Sequence, residues 1–284
     1  ATLTGTVAKA LNRTIATPRY FVFEADEYQN KFQYFSPANV ILTNVDYDHP
    51  DFFKTKQQYR KVFKEFIARI LKHRGFVLYN ADDAGARSLL RGMKDKVASY
   101  GFHPKSDYRI AAINGGLDHF AITHRQKPFA GILLKVYGRH NILNAAASAI
   151  MANRLGISQN VIARRLKSFA GVKRRMELIP SKKYTLIDDY GHHPTEIAAT
   201  LAALRARYPA KEIITVFHPH TFSRTKALLK DFGRAFRDSD LTVVLDIYPS
   251  ARETAPPDGG IHARDLMREM TKHKSKTVYC PTIT

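Results

Sequence analysis

One cysteine, Cys280, is the only thiol among 284 residues. A lone thiol excludes an internal disulfide and a cysteine-built metal cluster, and it suits a reducing, cytoplasmic setting. No apolar run approaches the roughly 20 residues a membrane-spanning helix needs. The first residues, Ala1-Thr-Leu-Thr-Gly-Thr6, lack the charged and then apolar stretches of a secretory signal, and no signal is expected there. Internal repeats and low-complexity tracts are missing too, as are zinc-finger spacings, an RNA-recognition sheet motif and a glycine-rich clamp. Acid is scarce: 25 Asp and Glu stand against 45 Lys and Arg, a formal charge of +20.

Such an excess invites a nucleic-acid reading. Much of it lies between Lys54 and Arg74. There Tyr59, Val62, Phe63, Phe66, Ile67, Ile70 and Leu71 recur at helical spacing and predict one buried face, while Arg60, Lys61, Lys64, Arg69 and Lys72 fall on the other. A solvated helix face accounts for these cations without a partner. The charge is better placed to draw in small anionic substrates and to keep the protein soluble.

What is present reads as α/β. A hydrophobic content of 44% and a charged fraction of 25% are ordinary for a globular chain long enough for two domains. Predicted strands at 20–23, 39–43, 76–79 and 96–100, a β-rich insert over roughly 107–137 with a turn at Asn114-Gly-Gly116, and strands at 184–188, 212–217, 241–245 and 277–280 alternate with helical patterns. Gly138 opens a helix that Gly156 ends, and Ser158 can cap the next. Gly171-Val-Lys-Arg-Arg175 lacks apolar periodicity and marks the expected boundary, giving domains 1–172 and 173–284.

Chemistry gathers at the strand ends. Asp188-Asp-Tyr-Gly-His-His-Pro194 sits between a predicted strand and a helix beginning at Pro194, where ligands bind in open α/β sheets and where a helix favours anions. Other runs end in Glu24-Ala-Asp-Glu27, Asn44-Val-Asp-Tyr-Asp-His49, Asn80-Ala-Asp-Asp83, His218-Pro-His-Thr-Phe-Ser-Arg224 and Asp246-Ile-Tyr248. Six polar ends predict two sheets facing one cleft. The plainer alternative is that Asp and His here cap helices, and that His220 and Arg224 pair with acids across loops.

The segments Glu24–Glu27, Thr43–Pro50, Gly138–Ala147, Arg174-Arg175, Asp188–Thr195 and Pro219–Thr225 resemble the ATP-dependent Mur ligases of peptidoglycan synthesis, in family order along nearly the whole chain. The resemblance implies a central ATPase-type parallel-sheet domain with a small β-rich insert, followed by a Rossmann-like, doubly wound C-terminal domain that binds an amino acid. It implies transfer of the ATP γ-phosphoryl to a carboxylate, attack by an amino group on the acyl phosphate, and no protein nucleophile. By the family's pattern, Glu24 and His49 would ligate Mg²⁺; His140, Asn141, Asn144, Arg175 and Asp189 would hold ATP; and His192, His220 and Arg224 would face the reacting groups. Asp26 and Glu27 stay unassigned, and Tyr248 with Arg252 forms a fainter cluster.

The small-molecule partners implied are UDP-N-acetylmuramate and L-alanine, in a cytoplasmic monomer or weak homodimer that engages neither nucleic acid nor membrane. Phe63 stands where several sister ligases carry a modified lysine, which favours the alanine-adding branch. That branch competes with the one adding a recycled tripeptide, with a basic nucleic-acid-binding protein and with a non-catalytic ligase domain. No Gly-Lys dipeptide occurs, so the family's phosphate-cradling loop is not found. The expectation is a piece cut at both ends, without that loop and the UDP-binding domain, and inactive alone.

Overall fold

Apolar runs at Asn39–Leu42 (β1), Phe76–Asn80 (β2), Val97–Gly101 (β3) and Tyr108–Ala112 (β4) pair as parallel neighbours. They belong to a computed structural model that describes residues 19–93, 95–113, 118–249, 253 and 260–282. His119–His124 (β5) and Lys127–Leu133 (β6) add antiparallel strands, completing a six-stranded sheet in sequence order. The β-rich insert is therefore an extension of the parallel sheet; its predicted turn at Asn114–Gly116 lies outside the described residues.

Strand β2 shows how this sheet is buried on both faces. Phe76 and Leu78 join one cluster with Ile142, Ala146 and Ile150 of helix Arg139–Arg154 (α3); Val77, pointing the other way, joins Tyr59, Phe63, Phe66, Ile67 and Ile70 of helix Lys56–Lys72 (α1). Each fully buried side chain of this size contributes about 1.5–3 kcal/mol. The helix Ala84–Leu89 (α2) lies between β2 and β3. Thr55 caps α1 in a reciprocal box with Gln58. Gly156, at φ +88°, follows the last residue of α3, as a helix-ending glycine should. Ser158 occupies the cap position of helix Gln159–Ser168 (α4), yet its hydroxyl makes no cap bond.

The C-terminal half is built on Ile214–Phe217 (β9), Leu241–Val244 (β10) and Thr277–Tyr279 (β11), parallel in the order β11-β10-β9. Helices Pro194–Arg207 (α5), Leu229–Ala235 (α7) and Ala263–Lys272 (α8) cover it through Ile197, Leu201, Phe232, Leu266 and Met270; a short helix, Phe222–Ala227 (α6), precedes α7. No helix among the described residues is long and apolar enough to cross a membrane.

Two expected strands differ. Tyr20–Phe23 forms no strand and has no ladder partner among the described residues, and Tyr20, Phe21 and Val22 are exposed. The run at 184–188 shortens to Leu186–Asp188 (β8) and pairs antiparallel with Glu177–Ile179 (β7) in a separate ribbon. The nearby partner closes a short loop, which costs less chain entropy than joining a distant sheet. Tyr184 and Leu186 consequently stay exposed.

Candidate functional site

The segment after β1 carries the junction between the two halves, with three successive residues each making a contact across it. Thr195 donates its hydroxyl to Asp46, His193 Nε2 bonds the Tyr47 carbonyl at 3.1 Å, and Asp48 takes Arg224. A carbonyl only accepts, so Nε2 of His193 carries the hydrogen and Nδ1 is left to accept from Thr195 N–H at 3.3 Å, capping α5. The helix-capping alternative therefore holds for His193, in a box with Glu196.

Arg224 is 7% exposed and reaches Asp48 through Nε at 2.7 Å and Nη2 at 3.1 Å. Burial alone would raise the Asp48 carboxyl; the hydrogen bonds and charge of Arg224 outweigh it and hold it down at about 2. The loop-pairing alternative is thus realised for Arg224. Asp48 also accepts the His49 N–H at 2.7 Å, and His49 sits in the left-handed region at φ +55°.

The His49 imidazole lies tilted 4.8 Å from the Tyr28 ring and 3.6 Å from Glu27, which also accepts the Tyr59 hydroxyl at 3.1 Å. Burial and the adjacent Glu27 push the Tyr59 phenol upward. Glu24 makes no hydrogen bond or ion pair among the described residues, so the carboxylate beside His49 is that of Glu27. Among those residues no three His, Cys, Asp or Glu side chains converge as a metal cluster.

On the C-terminal side, His192 and His220 lie 6.3 Å apart between ring centres, and Tyr248 lies tilted 4.9 Å from His220 and edge-on 5.5 Å from His218. His192 Nδ1 bonds the Tyr190 carbonyl at 3.0 Å, which places its hydrogen there and leaves Nε2 as a lone-pair acceptor. Burial lowers His192, and Arg224 adds to the effect. Burial lowers His220 as well, followed by His192 and Arg224. Both rings are therefore neutral near pH 7. Arg252, the proposed companion of Tyr248, lies outside the described residues.

A third group opens α3. Gly138 holds φ +108°, and a Cβ there would meet His140 Cε1 at 2.9 Å and Ala203 Cβ at 3.0 Å. His140 Nδ1 is buried without a hydrogen-bond partner; burial lowers its pKa, with the charges of Asp189 and Arg175 as its neighbours. Asp189 accepts Gly191 N–H at 2.7 Å and Met176 N–H at 2.9 Å, while Arg175 faces Glu196 at 3.6 Å. The structure thus brings His140, Asp189 and Arg175 together. Asn141 turns back to the Tyr137 carbonyl at 2.9 Å, and Asn144 is exposed with a free side chain among the described residues.

Not every polar strand end enters the junction. Asp83 accepts Val45 N–H at 3.0 Å, and Asp82 takes Phe102 and His103 N–H groups and Arg139, so these acids fix loops. Reasoning from sequence placed Asp46, Asp48 and His218 among the polar strand ends but gave them no role, and it left out Glu196. Their signals were legible: acids alternating in Asp46-Tyr47-Asp48, and the His-x-x-Glu spacing of a capping box.

The family description "Mur ligase middle domain" matches residues 3–152, and "Mur ligase, glutamate ligase domain" matches residues 174–284. A UDP-N-acetylmuramate–L-alanine ligase of Streptococcus agalactiae is 38% identical over 272 residues, covering 94% of this chain and 59% of the relative. That of Streptococcus mutans is 37% identical over 269 residues, covering 94% and 58%. This chain spans about 59% of the length of such relatives. In fold it is similar to the UDP-N-acetylmuramate-alanine ligase of Thermotoga maritima (TM-score 0.66, 23% identity, 91% of this chain and 54% of that one). It is also similar to a murein peptide ligase of Psychrobacter arcticus (TM-score 0.60, 20% identity, 89% and 51%).

Proposed function

The chain belongs to the Mur ligase family, and on that premise we propose that the full-length protein joins L-alanine to UDP-N-acetylmuramate at the expense of ATP. The observation that carries this reading is the meeting of Arg224, His193 and Thr195 with Asp46, Tyr47 and Asp48, where the two matched domains touch, beside the His192–His220 pair. We place the enzyme in the cytoplasm, acting on small molecules.

The reaction moves the γ-phosphoryl of ATP to the muramate carboxylate, and the amine of alanine then displaces phosphate from the acyl phosphate. Negative charge builds on oxygen at both stages, so fixed cations and donors do most of the stabilising. Arg224, buried and already oriented, supplies such a cation and binds the alanine carboxylate. Neutral His192, with Nε2 free to accept, takes the proton released by the attacking amine. His220, close by and also neutral, assists through the same histidine pair.

The orphaned Nδ1 of buried His140 fits a nucleotide that completes its hydrogen bonding. Asp189 would accept from ribose hydroxyls and Arg175 would meet phosphate oxygens, with Asn141 and Asn144 on the same helix end. Mg²⁺ would be held by His49 with a carboxylate of the Glu24–Glu27 segment; two protein donors suffice for an ion that keeps water and phosphate oxygens. When bound it neutralises phosphoryl charge. The 284 residues hold no Gly-Lys loop, and we propose that they do not turn over by themselves.

Phosphate release by the full-length protein with ATP, Mg²⁺ and UDP-N-acetylmuramate tests the assignment. It should rise with L-alanine and stay at background with a recycled cell-wall tripeptide that has a free amino terminus. The reverse preference would move the protein to the peptide-adding branch.

A further inference from the structure

We propose that Asp48 is a positioning residue for Arg224: by occupying the side-on edge of the guanidinium, it presents the other edge to the carboxylate of the incoming amino acid. This rests on the ligase reading above and refines how its amino acid is held.

A guanidinium carries five N–H donors in one plane, arranged as forks that each match a carboxylate. Asp48 fills the Nε–Nη2 fork at 2.7 and 3.1 Å. No described residue accepts a hydrogen bond from Nη1, although Arg224 is 7% exposed. A buried cation with one edge satisfied and the other open is set for a ligand that brings its own carboxylate. Arg224 sits on a helix of only six residues, and an unheld side chain there would have to be ordered at each binding event. Asp48 removes that ordering from the binding step.

The pair also crosses the junction, joining residues 176 positions apart. The same carboxylate accepts the His49 N–H at 2.7 Å. One side chain therefore fixes the amino-acid cation of the C-terminal half and the backbone of the His49 segment in the first half. Amino-acid affinity should accordingly depend on Asp48 more than nucleotide affinity does.

In the full-length protein, Asp48→Asn preserves volume and can still accept from His49 N–H, but it cannot serve both guanidinium nitrogens as an anion. Loss of one charged partner predicts a KM for L-alanine raised roughly tenfold or more. The KM for ATP and the Mg²⁺ requirement should stay within about twofold, since neither touches this fork. Asp48→Glu should recover part of the loss. The slow exchange of the Arg224 Nε–H resonance, measured in the same protein, reads the pairing itself and should disappear in Asp48→Asn. An unchanged KM for L-alanine overturns the proposal and leaves the ligase reading intact. So does a parallel rise in both KM values without recovery in Asp48→Glu, the mark of a merely structural role. A wild-type protein that releases no phosphate with any amino acid overturns the ligase reading, and this proposal with it.

Discussion

At the scale of single residues, the junction depends on imidazoles that stay neutral. His140, His192 and His220 all have folded pKa values lowered from 6.5, with burial the largest cause. The unfolded chain therefore binds protons first as pH falls. Their contribution to stability is complete above 6.5 and is lost as pH drops below it toward the folded values. Urea midpoints should fall between about pH 8 and about pH 5, and His192→Gln should flatten part of that slope. A flat profile in the parent protein would contradict the neutral-histidine assignment. The grouping of His192, His220 and Arg224 was legible in the sequence because each follows an apolar run. The partner of Arg224 was not: Asp48 is 176 residues away, and no local pattern says which acid crosses the gap.

Among the elements, helix starts set the geometry of the site. Gly138 opens α3 at φ +108°, where an added methyl would be strained and would press on His140 and Ala203. Gly138→Ala should cost about 1–3 kcal/mol of stability, and should raise the KM for ATP more than that for L-alanine, as steady-state kinetics and urea unfolding would report. At the start of α1, Thr55→Ala removes the capping box with Gln58 and should cost about 1 kcal/mol, with activity unaltered because Tyr59 keeps its bond to Glu27. A loss of activity there would mean that the cap also holds Tyr59 against Glu27. Helical periodicity made α1 legible because its buried face, Tyr59 to Ile70, repeats over about three turns. The runs at 20–23 and 184–188 were harder to place. Apolar character alone does not name a partner, and the second run found a local one in β7.

For the molecule as a whole, part of the +20 charge is engaged within the chain. On α1, Arg69 binds the Phe32 and Phe35 carbonyls, Arg60 bonds Ser88 and Lys61 pairs with Glu65. Duplex DNA should therefore be held no more tightly than the non-specific range of about 10⁻⁴–10⁻⁶ M at physiological salt; sequence-selective nanomolar binding in a gel-shift titration would contradict that. The α/β character of both halves was legible from alternating periodicities. Their docking was not, since it depends on three short-range polar contacts from Asp46, Tyr47 and Asp48.

Oxygen-18 in the carboxylate of UDP-N-acetylmuramate tests the proposed chemistry most directly. In an amide-forming turnover through an acyl phosphate, one carboxylate oxygen leaves with the phosphoryl group. Mass analysis of the full-length protein's products should show one labelled oxygen in the inorganic phosphate for each L-alanyl amide formed. Unlabelled phosphate, or amide formed without ATP cleavage, would contradict the account.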